Sequence, residues 1–299
     1  MTARRPAPAS FRGTVSPPAI LPRSEWAQGL EPTGPLEAEA AGDVRFLLVH
    51  HSASPNEYDR DGVARTLRSF YETHTGPAKG WHDIAYNFLI DRFGRIWEGR
   101  AGSIDQPMKG DATGGSQGFA LLCCFIGEHT SVPPSAEAQT AMASLLAYLA
   151  DRYSIDPTPG ATVTFASRGS NRYPAGSSVT VTTIAGHRDV SATECPGDAA
   201  YPLVQSSLAP RAAAMVADAA APPTTTTTTT TTETTATPQP SSTSTPTSPT
   251  SASDADPSGG GADPDAATGG DGSRLMIPTA AAVACAAVGG LIALRRRRG

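Results

Sequence analysis

The stretch GHRDVSATECPG, Gly186 to Gly197, sets His187 and Cys195 eight positions apart among Gly, Pro, Ser and Thr, a loop-like composition. Further up the chain, VRFLLVHHSAS (Val44 to Ser54) is an apolar run that ends in His50 and His51. Such a run suits a buried strand reaching the edge of a sheet, and SVTVTTIAGH (Ser178 to His187) reads as another strand with His187 at its end. Strand ends on one sheet edge can converge, and His50, His187 and a Cys195 thiolate form a donor set that suits zinc. Three protein donors leave a fourth position for water, the arrangement of a catalytic rather than a structural site. The same residues permit a plainer reading: a strand-end histidine held by a hydrogen bond, and a surface loop with an ordinary cysteine.

A sheet and its covers must position such a site. DGVARTLRSFYETH spaces Val63, Leu67, Phe70, Tyr71 and His74 at helical intervals, with Asp61 as the expected cap. IAYNFLIDRFGRIWEGR reads as two strands around the turn Asp91 to Gly94, and GFALLCCFIG as a further strand. Neighbouring strand residues face opposite ways, so Cys123 and Cys124 are expected as small buried hydrophobes on either side. SAEAQTAMASLLAYLADRY puts Ala138, Met142, Leu145, Leu146 and Leu149 on one helix face behind a Ser135 cap, and YPLVQSSLAPRAAAMVADAA closes the domain as a helix. Strands and helices alternate without a regular βαβ period. The fold class expected is α/β in the broad sense, an α+β mixed sheet flanked by helices.

The 299 residues divide by composition. Residues 1–20 read as an N-terminal extension, 21–217 as the globular domain, 218–274 as a Thr-, Pro-, Ser- and Gly-rich stalk, 275–294 as a transmembrane helix and 295–299 as a basic tail. The stalk has almost no apolar residue larger than Ala, so it cannot bury enough surface to offset its ordering entropy, and disorder is expected. Leu275 to Leu294 is twenty uncharged residues, enough to cross a bilayer core, and Arg295 to Arg298 direct the C-terminus to the cytoplasm. The expected setting is therefore the cell surface, with the domain extracytoplasmic. Arg4 and Arg5 are not followed by an apolar stretch, so either the start lies upstream or export takes another route. A net charge of −5 without a basic stripe in the domain argues against a nucleic-acid partner. A monomer is expected. Cys285 falls in the apolar tail, which leaves Cys195 to be explained by something other than a disulfide.

VHHSAS, GWHDIAYNFLIDRFGRIWEGR and GHRDVSATECPGDAAYPLV, in that order, resemble three blocks of the peptidoglycan recognition protein and phage-type N-acetylmuramoyl-L-alanine amidase family. PRSEWAQ (Pro22 to Gln28) is similar to the segment that opens this domain, and SNRYPAG (Ser170 to Gly176) to a stretch in actinobacterial members. The resemblance implies a zinc amidase with peptidoglycan as partner, and cleavage of the amide between muramic acid and L-alanine. It implies His50, His187 and Cys195 as zinc ligands, with His51 the less favoured choice on its strand. Tyr86 corresponds to the tyrosine beside the reacting water and Thr193 to a hydrogen-bond donor for the oxyanion, while His74, Trp81 and Arg172 would contact substrate.

Binding-only relatives commonly lose the cysteine, so Cys195 with Tyr86 favours an enzyme over a stalked, non-catalytic receptor. One departure stands out. KGDATGGSQ (Lys109 to Gln117) has Ala112 where many relatives carry a histidine, in a shorter loop, so one wall of the groove is expected to differ.

Overall fold

The computed structural model describes residues 14–113 and 118–221. In chain order the elements are β1 (Ile20–Leu21), α1 (Ser24–Ala27), β2 (Phe46–His51), α2 (Val63–Thr75), β3 (Phe88–Ile90), β4 (Ile96–Glu98), β5 (Ala120–Phe125), α3 (Ala136–Arg152), β6 (Thr162–Ala166), β7 (Ser178–Thr182) and β8 (Ile184–Gly186). Then α4 (Tyr201–Leu203) runs through a π-helical turn, Val204–Leu208, into α5 (Ala209–Ala220). Six strands form one sheet in the order β1-β4-β3-β5-β2-β8, while β6 and β7 pair as a separate ribbon. β2, β3, β5 and β8 run parallel and β4 is antiparallel to β3, a mixed sheet as expected.

β2 and β5 are buried at every position, because parallel strands covered on both faces read as unbroken apolar runs. Strand alternation sorts their side chains. Leu47, Val49, Leu121 and Cys123 pack with Met142 and Leu145 of α3 on one face. On the other, Leu89, Trp97 and Cys124 meet Trp26 of α1 and Leu67 of α2, while Phe46, Leu48 and Ala185 meet Phe165 and Val181 of the ribbon. The adjacent cysteines thus part to opposite faces. By the same alternation His50 shares the face of Phe46 and Leu48, and His51 that of Leu47 and Val49.

Three local expectations need correction. The single strand Ser178 to His187 is two, in different sheets. Thr183 N donates to Ala161 O and its hydroxyl to Asp156 O, turning the chain out of the ribbon, after which β8 pairs with β2. Burial marks the change: Val179 and Val181 alternate with less buried residues, whereas Ile184, Ala185 and Gly186 are all buried. β6, too polar to stand out, went unread. At α2, Gly62 is the cap residue and no side chain caps the helix; Asp59 Oδ1 accepts only from the Gly62 N–H, and Asp61 does not cap as expected. The Ser135 cap on α3 is present, its Oγ accepting from Ala138 N at 3.1 Å.

The stalk, the Leu275–Leu294 stretch and its arginines lie outside the described residues, as do residues 114–117 of the KGDATGGSQ loop. Among the described residues no helix is long and apolar enough to cross a membrane.

Candidate metal centre

Val49 of β2 pairs with Gly186 of β8, so His50, still in β2, and His187, just past the end of β8, come side by side. Their rings lie 4.4 Å apart between centroids. Cys195 returns from the following loop to put Sγ 3.6 Å from His50 Nδ1. The three donor atoms lie within 4.8 Å of one another, and among the described residues this is the one such cluster of His, Cys, Asp or Glu.

The donors fit zinc on three counts. Zn–S near 2.3 Å and Zn–N near 2.0 Å at tetrahedral angles put sulfur and nitrogen about 3.5 Å apart, close to the separation seen. The Nε2 atom of His187 is buried without a hydrogen-bond partner, a cost that a bound group can remove. Burial first, then the neighbouring His187 and His51, hold His50 well below the usual histidine pKa, and burial and His51 push His187 down to about 4. Both imidazoles are therefore neutral at pH 7, the form that binds a metal. Cys195 itself is buried, 8% exposed, rather than on a surface loop, and Sγ accepts the His51 N–H at 3.3 Å.

Groups that the sequence reading passed over hold the Cys195 loop. Gly186 has little room for a side chain: a Cβ there would sit 2.7 Å from the Tyr201 ring and 3.1 Å from Pro196. Gly197 has φ +93 and would drive a Cβ into the backbone of His129, at 2.3 Å. Between them Arg188 closes the loop, its N–H donating to Cys195 O at 2.9 Å and its guanidinium to Glu194 O and, at 2.8 Å, to Asp198. Asp189 accepts from Gly186 N and from the Tyr201 hydroxyl. The signal for both was their place directly after His187, charged residues within a motif already singled out.

His51 turns the other way. Its Nδ1 accepts from His129 N at 3.2 Å and lies 3.5 Å from Glu128, fastening the loop between β5 and α3. Four of the sequence-derived candidates extend from the cluster as a row of rings: His50 to Tyr86 at 5.3 Å, Tyr86 to His74 at 5.8 Å, His74 to Trp81 at 5.1 Å. Tyr86 also hydrogen-bonds Cys124, the strand partner of His50. Thr193 Oγ1 accepts from Cys195 N at 3.3 Å, which leaves its own proton for another partner. Arg172 stands apart from the row, on the β6–β7 loop, donating to Arg188 O. In the altered wall, Asp111 pairs with Arg100 at 2.5 Å.

His74 accepts from Ala85 N at Nδ1, and burial, then Lys79 and Arg100, push its pKa down to about 4. The unfolded chain, with a histidine pKa near 6.5, takes up that proton first, so this contribution to stability is present above pH 6.5 and lost as pH falls toward 4. His74→Gln can keep the acceptor without the titration. Its unfolding free energy from urea curves should therefore fall less than that of wild type over this window, by up to about 3 kcal/mol. Parallel pH curves would show that His74 is not held neutral.

A mixed sheet thus brings two histidines and a cysteine together at its strand ends, a donor set that could hold a metal ion. The chain belongs to the N-acetylmuramoyl-L-alanine amidase family, which it matches over residues 40–198. It is 29% identical over 198 residues to peptidoglycan recognition protein 1 of Mus musculus, covering 62% of this chain and 86% of that one. To the N-acetylmuramoyl-L-alanine amidase of Sus scrofa it is 28% identical over 191 residues, 63% of this chain and 27% of that longer protein. Among solved structures it is similar to human PGRP-IBETAC in complex with glycosamyl muramyl pentapeptide, with 26% identity, a TM-score of 0.47, and coverage of 63% of this chain and 96% of that one.

Proposed function

We propose that this protein is a zinc-dependent amidase that hydrolyses the bond between N-acetylmuramic acid and L-alanine in peptidoglycan. The convergence of His50, His187 and Cys195 beside Tyr86 is the observation that supports it most. Membership of the amidase family supports the substrate class. In this reading the three side chains hold zinc, which when bound supplies Lewis acidity to polarise the amide carbonyl and activate water. Tyr86 orients the water through its hydroxyl. Thr193 donates to the oxygen on which negative charge develops. His74 and Trp81 line the approach, and Arg172 contacts substrate or braces the loop beside it. The composition of residues 218–294 extends the proposal to a tethered enzyme at the cell surface.

Incubating the zinc-loaded full chain with purified peptidoglycan and identifying released ends by mass spectrometry tests the reading. New L-alanine amino termini are expected. Tyr86→Phe keeps the ring and its tilted and edge-on contacts but removes one hydroxyl, so zinc content should hold while kcat falls by about 100-fold. Similarity to a protein named for recognition favours the second reading, a peptidoglycan-binding receptor without turnover. Equal cell-wall binding by wild type and Tyr86→Phe, with no new L-alanine amino termini from either, would select that reading and sink the amidase.

A further inference from the structure

Three consecutive side chains of the β6–β7 loop, in the stretch SNRYPAG, grip the main chain of the loop that carries Thr193 and Cys195. Ser170 Oγ donates to Val190 O at 2.9 Å, and Arg172 donates to Arg188 O. Asn171 makes the closest match. Its Nδ2 donates to Ala192 O at 3.1 Å while its Oδ1 accepts from Ala192 N at 2.8 Å. A side-chain amide offers a donor and an acceptor side by side, so this pair fixes the peptide planes on both sides of Ala192 as a neighbouring strand would. Thr193 comes next. Ala192 and Glu194 are exposed, so side-chain packing does little to set the turn at this point.

We propose that Asn171 is a positioning residue for the reaction. Through the Ala192 backbone its amide sets where the Thr193 hydroxyl points, which makes the β6–β7 loop part of the machinery rather than a remote ribbon end. The inference rests on the amidase reading given above. It separates from a merely structural role because the metal donors are held by other contacts. Arg188 ties down Cys195 from within the loop, and Gly197 seats it against His129. Asn171 is exposed and touches neither.

The test uses the zinc-loaded full chain with a soluble muramoyl tripeptide. Asn171→Ala should lower kcat about tenfold, the loss of alignment at one transition-state hydrogen bond, with KM and zinc content unchanged. In a Thr193→Val background the same substitution should cost almost nothing further, since the group it aligns is gone. Hydrogen exchange should show lost protection of the segment 190–195 in Asn171→Ala. Multiplying losses in the double variant, or zinc loss from Asn171→Ala, would overturn the proposal in favour of a structural role. Unchanged kcat and unchanged protection would overturn it too. An inactive wild type would sink the amidase reading instead, and the exchange measurement then decides alone whether Asn171 orders the Thr193 turn.

Discussion

His50→Ala should leave the protein without bound zinc and without turnover, whereas His51→Ala should keep most of its metal. The two residues are neighbours on β2, so alternation sends them to opposite faces of the sheet. His50 Nδ1 lies 3.6 Å from Cys195 Sγ and its ring lies 4.4 Å from that of His187, tilted by 40°. A zinc site reduced to two donors loses the closed geometry on which tight binding depends. His51 spends its Nδ1 on the His129 N–H. Removing it leaves that buried donor unsatisfied, a cost of about 1–3 kcal/mol to stability, but takes nothing from the donor cluster. What His51 lends the site is backbone, its N–H and its carbonyl against Sγ, and alanine keeps both. Metal analysis and unfolding curves on both variants separate the two roles. Zinc retained by His50→Ala and lost from His51→Ala would mean that the facing of β2 is the reverse of the one described.

Much of this arrangement was legible in the chain because each piece has a local signature. The unbroken apolar run before His50 announces a strand covered on both faces, and the amphipathic intervals of Val63, Leu67 and Tyr71 announce its helical cover. The Ser135 cap was equally plain, since a hydroxyl three residues before a buried Ala138 has one obvious use. Sequence reasoning failed where long-range contacts outweighed local pattern. Nothing in SVTVTTIAGH says that Thr183 is claimed by Ala161 and Asp156, and it is that claim which splits one strand into two. β6 was missed because its ribbon exposes one face to solvent and its residues are mostly threonine and small. At the site, residue types gave the donors, whereas the partners of their supports could not be read: Arg188, Asp189 and Asn171 act largely on main-chain atoms, which leave no trace in residue type.

Cys195→Ser should fold, lose zinc, and lose the chelator response that wild type shows. Serine is nearly isosteric with cysteine and its oxygen can still accept the His51 N–H that Sγ accepts at 3.3 Å, so the loop should keep its place. As a neutral hydroxyl it is a far weaker ligand than a thiolate, and the metal should go. The loss is readable in stability without any assay of turnover. Zinc held at about 100 times its dissociation constant stabilises the folded form by roughly 2.7 kcal/mol. For a domain of this size that corresponds to a fall in Tm of about 5–10 °C when the metal is removed. Wild type treated with a chelator should drop by this amount and Cys195→Ser should already sit near the lower value, with the chelator moving it little further. Turnover on peptidoglycan should vanish with the metal. The donor set is wrong if Cys195→Ser retains stoichiometric zinc, or if the chelator lowers its Tm as far as it lowers that of wild type. Cys195 would then be no more than a buried thiol under the loop, and the metal, if one is held, would rest on the two histidines and some other group.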